Sequence, residues 1–212
     1  MKQSPLEFYL AEKARFEQKS TKLKKQLTLS STIRLVAFLI ICFGLYLTFG
    51  NIKAMIGIAV IGFLGFLYLV YRHSDLQYEK DVNNKLVDIN TTEINVLNGD
   101  YLSLDIGSEF INSAHFYSYD IDLFGKGSFF QYINRTATNE GKKQLADILT
   151  ENQISEIESK QEAINELANK RVWRQHFTAI ASLVNVQHPA KDIINWIHNY
   201  TQRDLNGFYY HS

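Results

Sequence analysis

The chain has 212 residues, a formal net charge of +0 and a single cysteine, Cys42. This length allows one soluble domain of ordinary size plus an accessory region. One cysteine excludes an internal disulfide and a metal cluster held by several thiolates. Overall neutrality neither indicates nor excludes a nucleic-acid partner, because binding depends on where the basic groups lie.

Residues 1–34 form a basic segment with the pattern of an amphipathic helix. Pro5 stands where a first helical turn would begin, and apolar residues recur at helical spacing through Leu27. Four lysines in this segment are candidates for contact with anionic lipid headgroups or phosphates. These are Lys19, Lys22, Lys24 and Lys25. The alternative is a solvated helix face whose charges only set the orientation of the chain in a membrane.

Residues 35–71 contain two apolar runs that predict a transmembrane helical hairpin. Only residues 51–53 separate the runs, so the two helices must be antiparallel. About 20 apolar residues span a bilayer core, and Lys and Arg are concentrated on the outer flanks, which predicts that both soluble ends are cytoplasmic. A cleavable signal peptide is disfavoured because the first run begins deep in the chain and a second run follows. A buried soluble hairpin is disfavoured because both helices are apolar on every face.

Small residues lie along one side of the second apolar run, at Ala54, Gly57, Gly62 and Gly65. Small side chains let a neighbouring helix backbone approach closely. Packing against the first helix of the hairpin is one explanation. A homodimer contact between hairpins is the other.

Residues 72–99 continue the second membrane helix as a stalk. Apolar residues such as Leu76, Leu86 and Ile89 recur at helical steps, and Asn98 with Gly99 predicts the end of the helix. Because both stalk helices leave the same hairpin, we expect them to pair as antiparallel neighbours below the membrane.

Residues 100–212 are expected to begin an all-α domain that is incomplete in this chain. Its opening, 100–118, is expected to be irregular or short-stranded. Ser128 is the predicted cap of a short helix ending at Asn134, and Thr138 the predicted cap of the next. In that second helix we expect three apolar side chains to face inward and three charged ones to face solvent. The inward set is Leu145, Ile148 and Leu149; the outward set is Lys142, Lys143 and Asp147.

Three further helices are predicted after Thr150. An apolar stripe from Ile154 through Ile157, Ile164 and Leu167 is expected to pack in the core of this domain. The next two helices are predicted at 172–184 and 193–200.

Few residues are candidates for chemistry. Asp120 and Asp122, expected on one face of a strand, could hold a divalent cation, but a structural role in positioning the helical region is favoured. Arg135 could contact a phosphate, and a salt bridge with Glu140 or Asp122 is favoured instead. No histidine pair has metal-ligand spacing, and no catalytic set is apparent.

An ordered series of motifs between about residues 93 and 177 resembles the opening of the helical core, or lever, of MutS-family proteins. The series runs from Tyr119 to Thr136 and continues with Thr138, Gly141 and the segment 160–164. It matches a short helix ending in an Asn-x-Thr turn, a Thr-x-x-Gly helix start and an (Arg/Lys)-Gln-Glu-Ala-(Ile/Val) segment. The resemblance assigns structural roles to Asp120, Asp122, Phe124, Gly125, Ser128, Asn134, Arg135, Thr136, Thr138, Gly141, Gln161 and Glu162.

The resemblance implies the N-terminal portion of a membrane-anchored, bacterial MutS-like protein, located in the cytoplasmic membrane. Full-length members of that family are ATPases that use ATP and Mg and bind DNA. The sequence contains no Gly-x-x-x-x-Gly-Lys-Ser/Thr motif and no Phe-x-Glu mismatch wedge. We therefore expect this chain to supply the anchor and lever, with no catalytic, cofactor or metal site of its own. The alternative is a non-enzymatic membrane scaffold with a helical interaction module.

Overall fold

A computed structural model describes residues 4–151 and 155–184, and the described residues form helices joined by turns. The helices, in chain order, are α1 Pro5–Leu47, α2 Ile52–Leu97, α3 Phe129–Ile133, α4 Asn139–Thr150, α5 Ile157–Ala168 and α6 Arg171–Leu183, with a short 3-10 turn at Ser108–Phe110. No strand occurs within the described ranges. The predicted all-helical class is therefore confirmed. Residues 100–118, which were expected to be irregular or short-stranded, are irregular. The helix predicted at 193–200 lies outside the described residues.

The first long helix, α1, begins where the sequence predicts. Ser4 caps it: the Ser4 hydroxyl accepts from the Glu7 amide at 3.2 Å, and the Glu7 carboxylate accepts from the Ser4 amide at 3.1 Å. This reciprocal pair satisfies amides that have no partner inside the helix. The helix then runs without a break through the boundary predicted between residues 34 and 35. The basic segment and the first apolar segment therefore form one continuous helix.

The second long helix, α2, pairs with α1 as an antiparallel neighbour. Contacts at three levels define the register: Gly44 lies against Ile58, Ser30 is 3.2 Å from the His73 ring, and Lys19 forms a 2.7 Å ion pair with Glu79. As residue numbers fall along α1, they rise along α2. The predicted antiparallel stalk is therefore present.

Both long helices are long and apolar enough to cross a membrane. Within their most apolar windows only 6% and 0% of the residues are buried inside the structure. A core helix of a soluble protein would be mostly buried, whereas these windows are almost entirely exposed within the part of the chain that the structure describes. Their large apolar side chains, among them Phe38, Ile40 and Leu64, are exposed.

A compact aromatic cluster holds the segment between α2 and α4. Phe130 is fully buried, and its ring lies 5.2 Å from that of Phe124 and 5.7 Å from that of Phe110. Leu123 and Ala146 are buried in the same cluster, with the partly buried residues Phe110, Tyr117, Leu145 and Leu149 packed around it. These residues anchor α3 and α4 to an otherwise irregular segment.

Two of the predicted helix faces differ from the structure. On α4, Leu145 and Leu149 pack on the aromatic cluster as expected, but Ile148 is half exposed and Ala146 is buried in its place. On α5, Ile157, Ile164 and Leu167 are exposed rather than in a core. An apolar stripe shows which face of a helix avoids water, but within the described ranges little packs against α5.

Lys142 does not have the free surface position that the sequence suggested. Its ammonium group forms an ion pair with Asp105 at 2.8 Å and a second with Glu109. Hydrogen bonding from Lys142 lowers the pKa of both carboxyl groups, and the bond to Asp105 is the main reason that the pKa of Lys142 is raised. Lys142 thus ties α4 to the irregular segment.

We expect the contribution of Lys142 to stability to depend on pH. Carboxyl groups whose pKa is lowered by folding stabilise the folded state above their unfolded values of about 4, and this stabilisation is lost as pH falls through the lowered folded values. The free energy of unfolding of the wild type should therefore exceed that of Lys142→Gln at pH 7, and the gap should close in acid. The gap should be modest because both carboxylates are half exposed to water.

Urea unfolding at several pH values measures this gap. Lys143→Gln is the matched control, since it removes the same charge from the next residue of α4, where Lys143 pairs with Asp147 inside the helix. A wild-type advantage over Lys142→Gln that is the same at pH 7 and in acid would contradict the assignment.

Candidate functional site

A buried polar layer joins α1, α2 and α6 below the apolar hairpin. The Asn83 side-chain amide donates to the Phe16 carbonyl at 2.7 Å and to the Ser20 hydroxyl at 2.8 Å. Two helical turns further along α2, the Gln175 amide donates to the Asn90 side-chain oxygen at 2.9 Å. Buried polar groups tolerate few alternative partners, so these contacts fix how the three helices are aligned.

An elongated cleft lies beside this layer, at the foot of the stalk. It has a volume of about 250 Å³ and is bounded by the start of α1, the last part of α2, α6 and the turn after α3. Its charged lining consists of the basic residues Lys85, Arg135, Arg171 and Arg174 and the acidic residues Asp88 and Glu93. The cleft therefore brings three arginines and one lysine to the lining of one cavity.

Arg135 forms the link between the cleft and the globular part. Its Nε donates to a Glu93 carboxylate oxygen at 2.8 Å, and its Nη1 donates to the Asn134 carbonyl at 2.8 Å. Neither Glu140 nor Asp122, the partners expected from the sequence, forms this ion pair. The expectation failed because it considered neighbours along the chain, whereas Glu93 lies on α2 and reaches Arg135 only through the fold.

The Tyr9 hydroxyl lies where the charges of the cleft converge. Burial is the main cause of its raised pKa, and the Glu93 carboxylate adds to the rise. The positive charges of Arg174, Arg171 and Arg135 oppose it. Tyr9 thus shares the cleft with guanidinium groups from two separate parts of the chain, α6 and the turn after α3.

The turn and helix start that carry the family resemblance are built from local hydrogen bonds. The Asn134 side-chain oxygen accepts from the amide and hydroxyl of Thr136 at 3.0 and 2.7 Å. The Thr138 hydroxyl caps α4 by accepting from the Gly141 amide at 3.1 Å. The Asn-x-Thr turn and the Thr-x-x-Gly cap therefore form the connection between α3 and α4.

Residues 124–131 have a structural role around α3. Ser128 caps α3 by accepting from the Gln131 amide at 3.1 Å, as predicted. Gln131, which the sequence did not single out, is fully buried; its amide donates to the carbonyls of Leu102 and Leu104, and its oxygen accepts from the Gly127 amide at 2.7 Å. Phe124 is buried in the aromatic cluster, and the Gly125 amide donates to the Ile106 carbonyl at 2.8 Å.

Asp120 and Asp122 do not lie on a strand. Both belong to a series of turns before Leu123, and Asp122 has a positive φ of 47°. Both are exposed, and no group of three or more potential metal ligands occurs among the described residues. The prediction that Asp120 and Asp122 lie on one face of a strand is therefore wrong.

Gln161 and Glu162 lie on α5, where every described residue is exposed. They stand on the same helix as Glu166, which forms an ion pair with Lys170 near the helix end. The residues of this motif are not brought together with those of the turn after α3.

The four stalk lysines differ in their surroundings. Lys19 is paired with Glu79, whereas Lys22, Lys24 and Lys25 are exposed. At a rise of 1.5 Å per residue, Lys24 and Lys25 lie about 15 Å along α1 from Arg34, and the headgroup layer is only about 5–8 Å thick. An upright α1 would keep them below that layer, which favours a role in orientation over lipid contact.

The spacing of the polar residues in α2 is a sequence signal for the polar layer. Asn83, Leu86 and Asn90 follow one another at steps of three and four residues, the spacing of one helix face. An asparagine on the contact face of paired helices commonly fixes their register. The cleft had no comparable signal, because its residues come from distant parts of the chain.

Comparisons with known proteins do not assign this chain to a family. No family model matches it, and neither the curated proteins nor the solved structures give a match.

Proposed function

We propose that this chain is the membrane anchor and the start of the lever of a MutS-like protein of the bacterial cytoplasmic membrane. In this proposal the full-length protein uses ATP and Mg to drive a DNA-associated, dimeric machine, and the chain itself supplies the attachment. One observation carries the anchor: in their apolar segments, α1 and α2 expose large apolar side chains on the faces that do not pack against each other.

The physical argument for the anchor is the cost of leaving this surface in water. Burying apolar area is worth about 25 cal/mol per Å², and monomeric soluble proteins rarely expose continuous apolar patches of more than a few hundred Å². From Leu35 to Ile52 and from Ala54 to Tyr71 the chain has no charged residue. A lipid bilayer is the surrounding that fits such a hairpin.

The orientation of the hairpin can be tested by cysteine labelling. In a Cys42→Ala background, Lys53→Cys should react with a membrane-impermeant thiol reagent added outside intact cells, because Lys53 lies in the first turn of α2, next to the turn that joins α1 and α2. Lys19→Cys should not react until the cells are opened, because the stalk is cytoplasmic. Labelling of Lys19→Cys in intact cells would contradict the proposed topology.

The lever proposal rests on the ordered motif series together with the contact between Arg135 and Glu93. This ion pair connects the turn after α3 to the stalk helix that continues into the hairpin. A rigid connection of this kind would transmit movement of the globular part to the membrane, or the reverse.

The coding sequence that follows Ser212 distinguishes the two functional hypotheses. We expect the reading frame to continue and to encode a Gly-x-x-x-x-Gly-Lys-Ser/Thr loop, whose amides and lysine would hold nucleotide phosphates. A stop codon directly after Ser212 would contradict the MutS-like proposal and favour the non-enzymatic scaffold, in which the exposed apolar residues of α5 and α6 would serve as an interaction module.

A further inference from the structure

The cleft at the foot of the stalk has more positive than negative groups in its lining. Lys85, Arg135, Arg171 and Arg174 face Asp88 and Glu93, which leaves an excess of two positive charges, four minus two. Arg135 is neutralised by Glu93. Among the described residues, no ion pair within 4.0 Å includes Lys85, Arg171 or Arg174.

The two arginines of α6 stand close together on the cleft wall. Arg171 and Arg174 are one helical turn apart, so their side chains leave the same side of α6. The guanidinium of Arg171 lies over the Phe8 ring, 4.6 Å from its centre, which holds the planar group in place. Like charges held side by side repel and destabilise the fold, so a site of this kind is typical of a protein that binds an anion.

We propose that this cleft binds a small phosphate-bearing molecule, with Arg171, Arg174 and Lys85 as its phosphate ligands. Planar guanidinium groups bind phosphate oxygens through paired hydrogen bonds, and lysine adds a mobile point charge. The cleft is slightly smaller than the roughly 300–1,000 Å³ typical of sites for drug-sized ligands. It therefore suits a phosphorylated metabolite of a few carbon atoms.

Gln175 is a buried polar residue in the lining of the cleft. The residue is 7% exposed, and while its amide donates to Asn90, its oxygen has no hydrogen-bond partner among the residues that the structure describes. A buried acceptor without a partner is costly. The oxygen is closed to water in this structure, so a ligand hydroxyl would contact it only after the Gln175 side chain turns towards the cleft.

The position of the cleft argues against a bilayer lipid as the source of the phosphate. Asp88 lies 16 positions beyond Arg72 on α2, which corresponds to about 24 Å along the helix. The headgroup layer extends only about 5–8 Å from the hydrocarbon core. A lipid in the membrane cannot bring its headgroup to this site while the hairpin spans the bilayer.

Binding would change how firmly α6 is attached to the stalk. The ligand would touch α6 through Arg171 and Arg174 and α2 through Lys85, so it would act as a bridge between the two helices. A ligand that binds only the folded arrangement stabilises it in proportion to the logarithm of its concentration. This consequence does not depend on the MutS-like assignment.

The test is calorimetric titration of the full, detergent-solubilised chain with glycerol phosphate and with inorganic pyrophosphate. We expect saturable binding, a higher melting temperature with ligand, and a loss of affinity of at least about tenfold in Arg174→Gln and in Arg171→Gln. Lys126→Gln is the control, since it removes one positive charge from an exposed residue outside the cleft. Equal affinities in wild type, both arginine variants and the control would overturn the proposal, as would the absence of saturable binding at millimolar ligand.

Two further experiments test whether the effect of Arg174 comes from its hydrogen bonds rather than from its packing, and whether the phosphate belongs to a small molecule rather than to a lipid or DNA. Arg174→Lys keeps the charge and most of the side chain, so it should fold like the wild type and bind with intermediate affinity; binding as tight as that of the wild type would show that paired hydrogen bonds are not used. Vesicles of anionic lipid should not compete with glycerol phosphate for the chain in nanodiscs of neutral lipid. Competition by these vesicles, or tighter Arg174-dependent binding of a short DNA duplex, would overturn the assignment to a small molecule.

Discussion

Replacing Phe130 with alanine is expected to lower the free energy of unfolding of the globular part by about 3–5 kcal/mol. Phe130 is fully buried between Phe110 and Phe124, and α3 is too short to close the resulting cavity by shifting. Gly107 adds to the constraint, because its φ is +63° and a Cβ there would come within 2.7 Å of the Phe130 ring. The backbone therefore approaches this ring as closely as glycine allows.

Hydrogen exchange in the segment 102–149 measures this effect within the membrane-bound chain. Phe129→Ala is the matched control, since Phe129 is the adjacent residue of α3 and is 54% exposed. Amide protection should fall strongly in Phe130→Ala and only slightly in Phe129→Ala. Similar losses in both variants would mean that the aromatic cluster does not hold this segment together.

Replacing Gly62 with leucine is expected to separate the two helices of the hairpin. A Cβ at Gly62 would lie 2.8 Å from Cγ1 of Ile41 on α1, and two more atoms of the Ile41 side chain lie within 3.1 Å. The larger side chain must therefore displace α1 or force Ile41 from its rotamer. Overpacking of this kind typically costs about 1–3 kcal/mol.

The control for Gly62→Leu is Gly65→Leu, because a Cβ at Gly65 meets no atom of the described residues within 4 Å. Titration of reconstituted protein with a denaturing detergent should show earlier loss of helical circular dichroism in Gly62→Leu than in Gly65→Leu. The reverse order would mean that Gly65, and not Gly62, lies at a helix contact. Of the two explanations for the small residues in α2, the structure supports intrahairpin packing at Gly62.

Much of the helical architecture could be predicted from the sequence because its signals are local. The caps at Ser128 and Thr138, the end of α2 before Asn98 and the two apolar runs each involve residues within one or two helical turns. A hydroxyl that caps a helix needs only an amide three residues away. Such features depend little on the rest of the chain.

The partners of long-range contacts could not be predicted in the same way. Arg135 was expected to pair with Glu140 or Asp122, and it pairs with Glu93 instead. Ile164 was expected in a core and is exposed, whereas Asn90 is fully buried against Gln175. The chemistry of a side chain shows that it needs a hydrogen-bonding partner or an apolar surface to pack against. It does not show which residue provides that partner or surface.

By itself, the sequence determined that the chain forms long helices, that Ser128 and Thr138 cap α3 and α4, and that two helices have apolar stretches suited to a bilayer. Only the tertiary structure decided that α6 lies on the stalk beside α1 and α2, and this packing brings Tyr9, Lys85 and the three arginines around one cleft. The physical reason is the distance along the chain over which each feature is determined. Helix formation depends on hydrogen bonds over three or four residues, whereas a cleft depends on how separate helices cross, and that is set by the packing of all of them together.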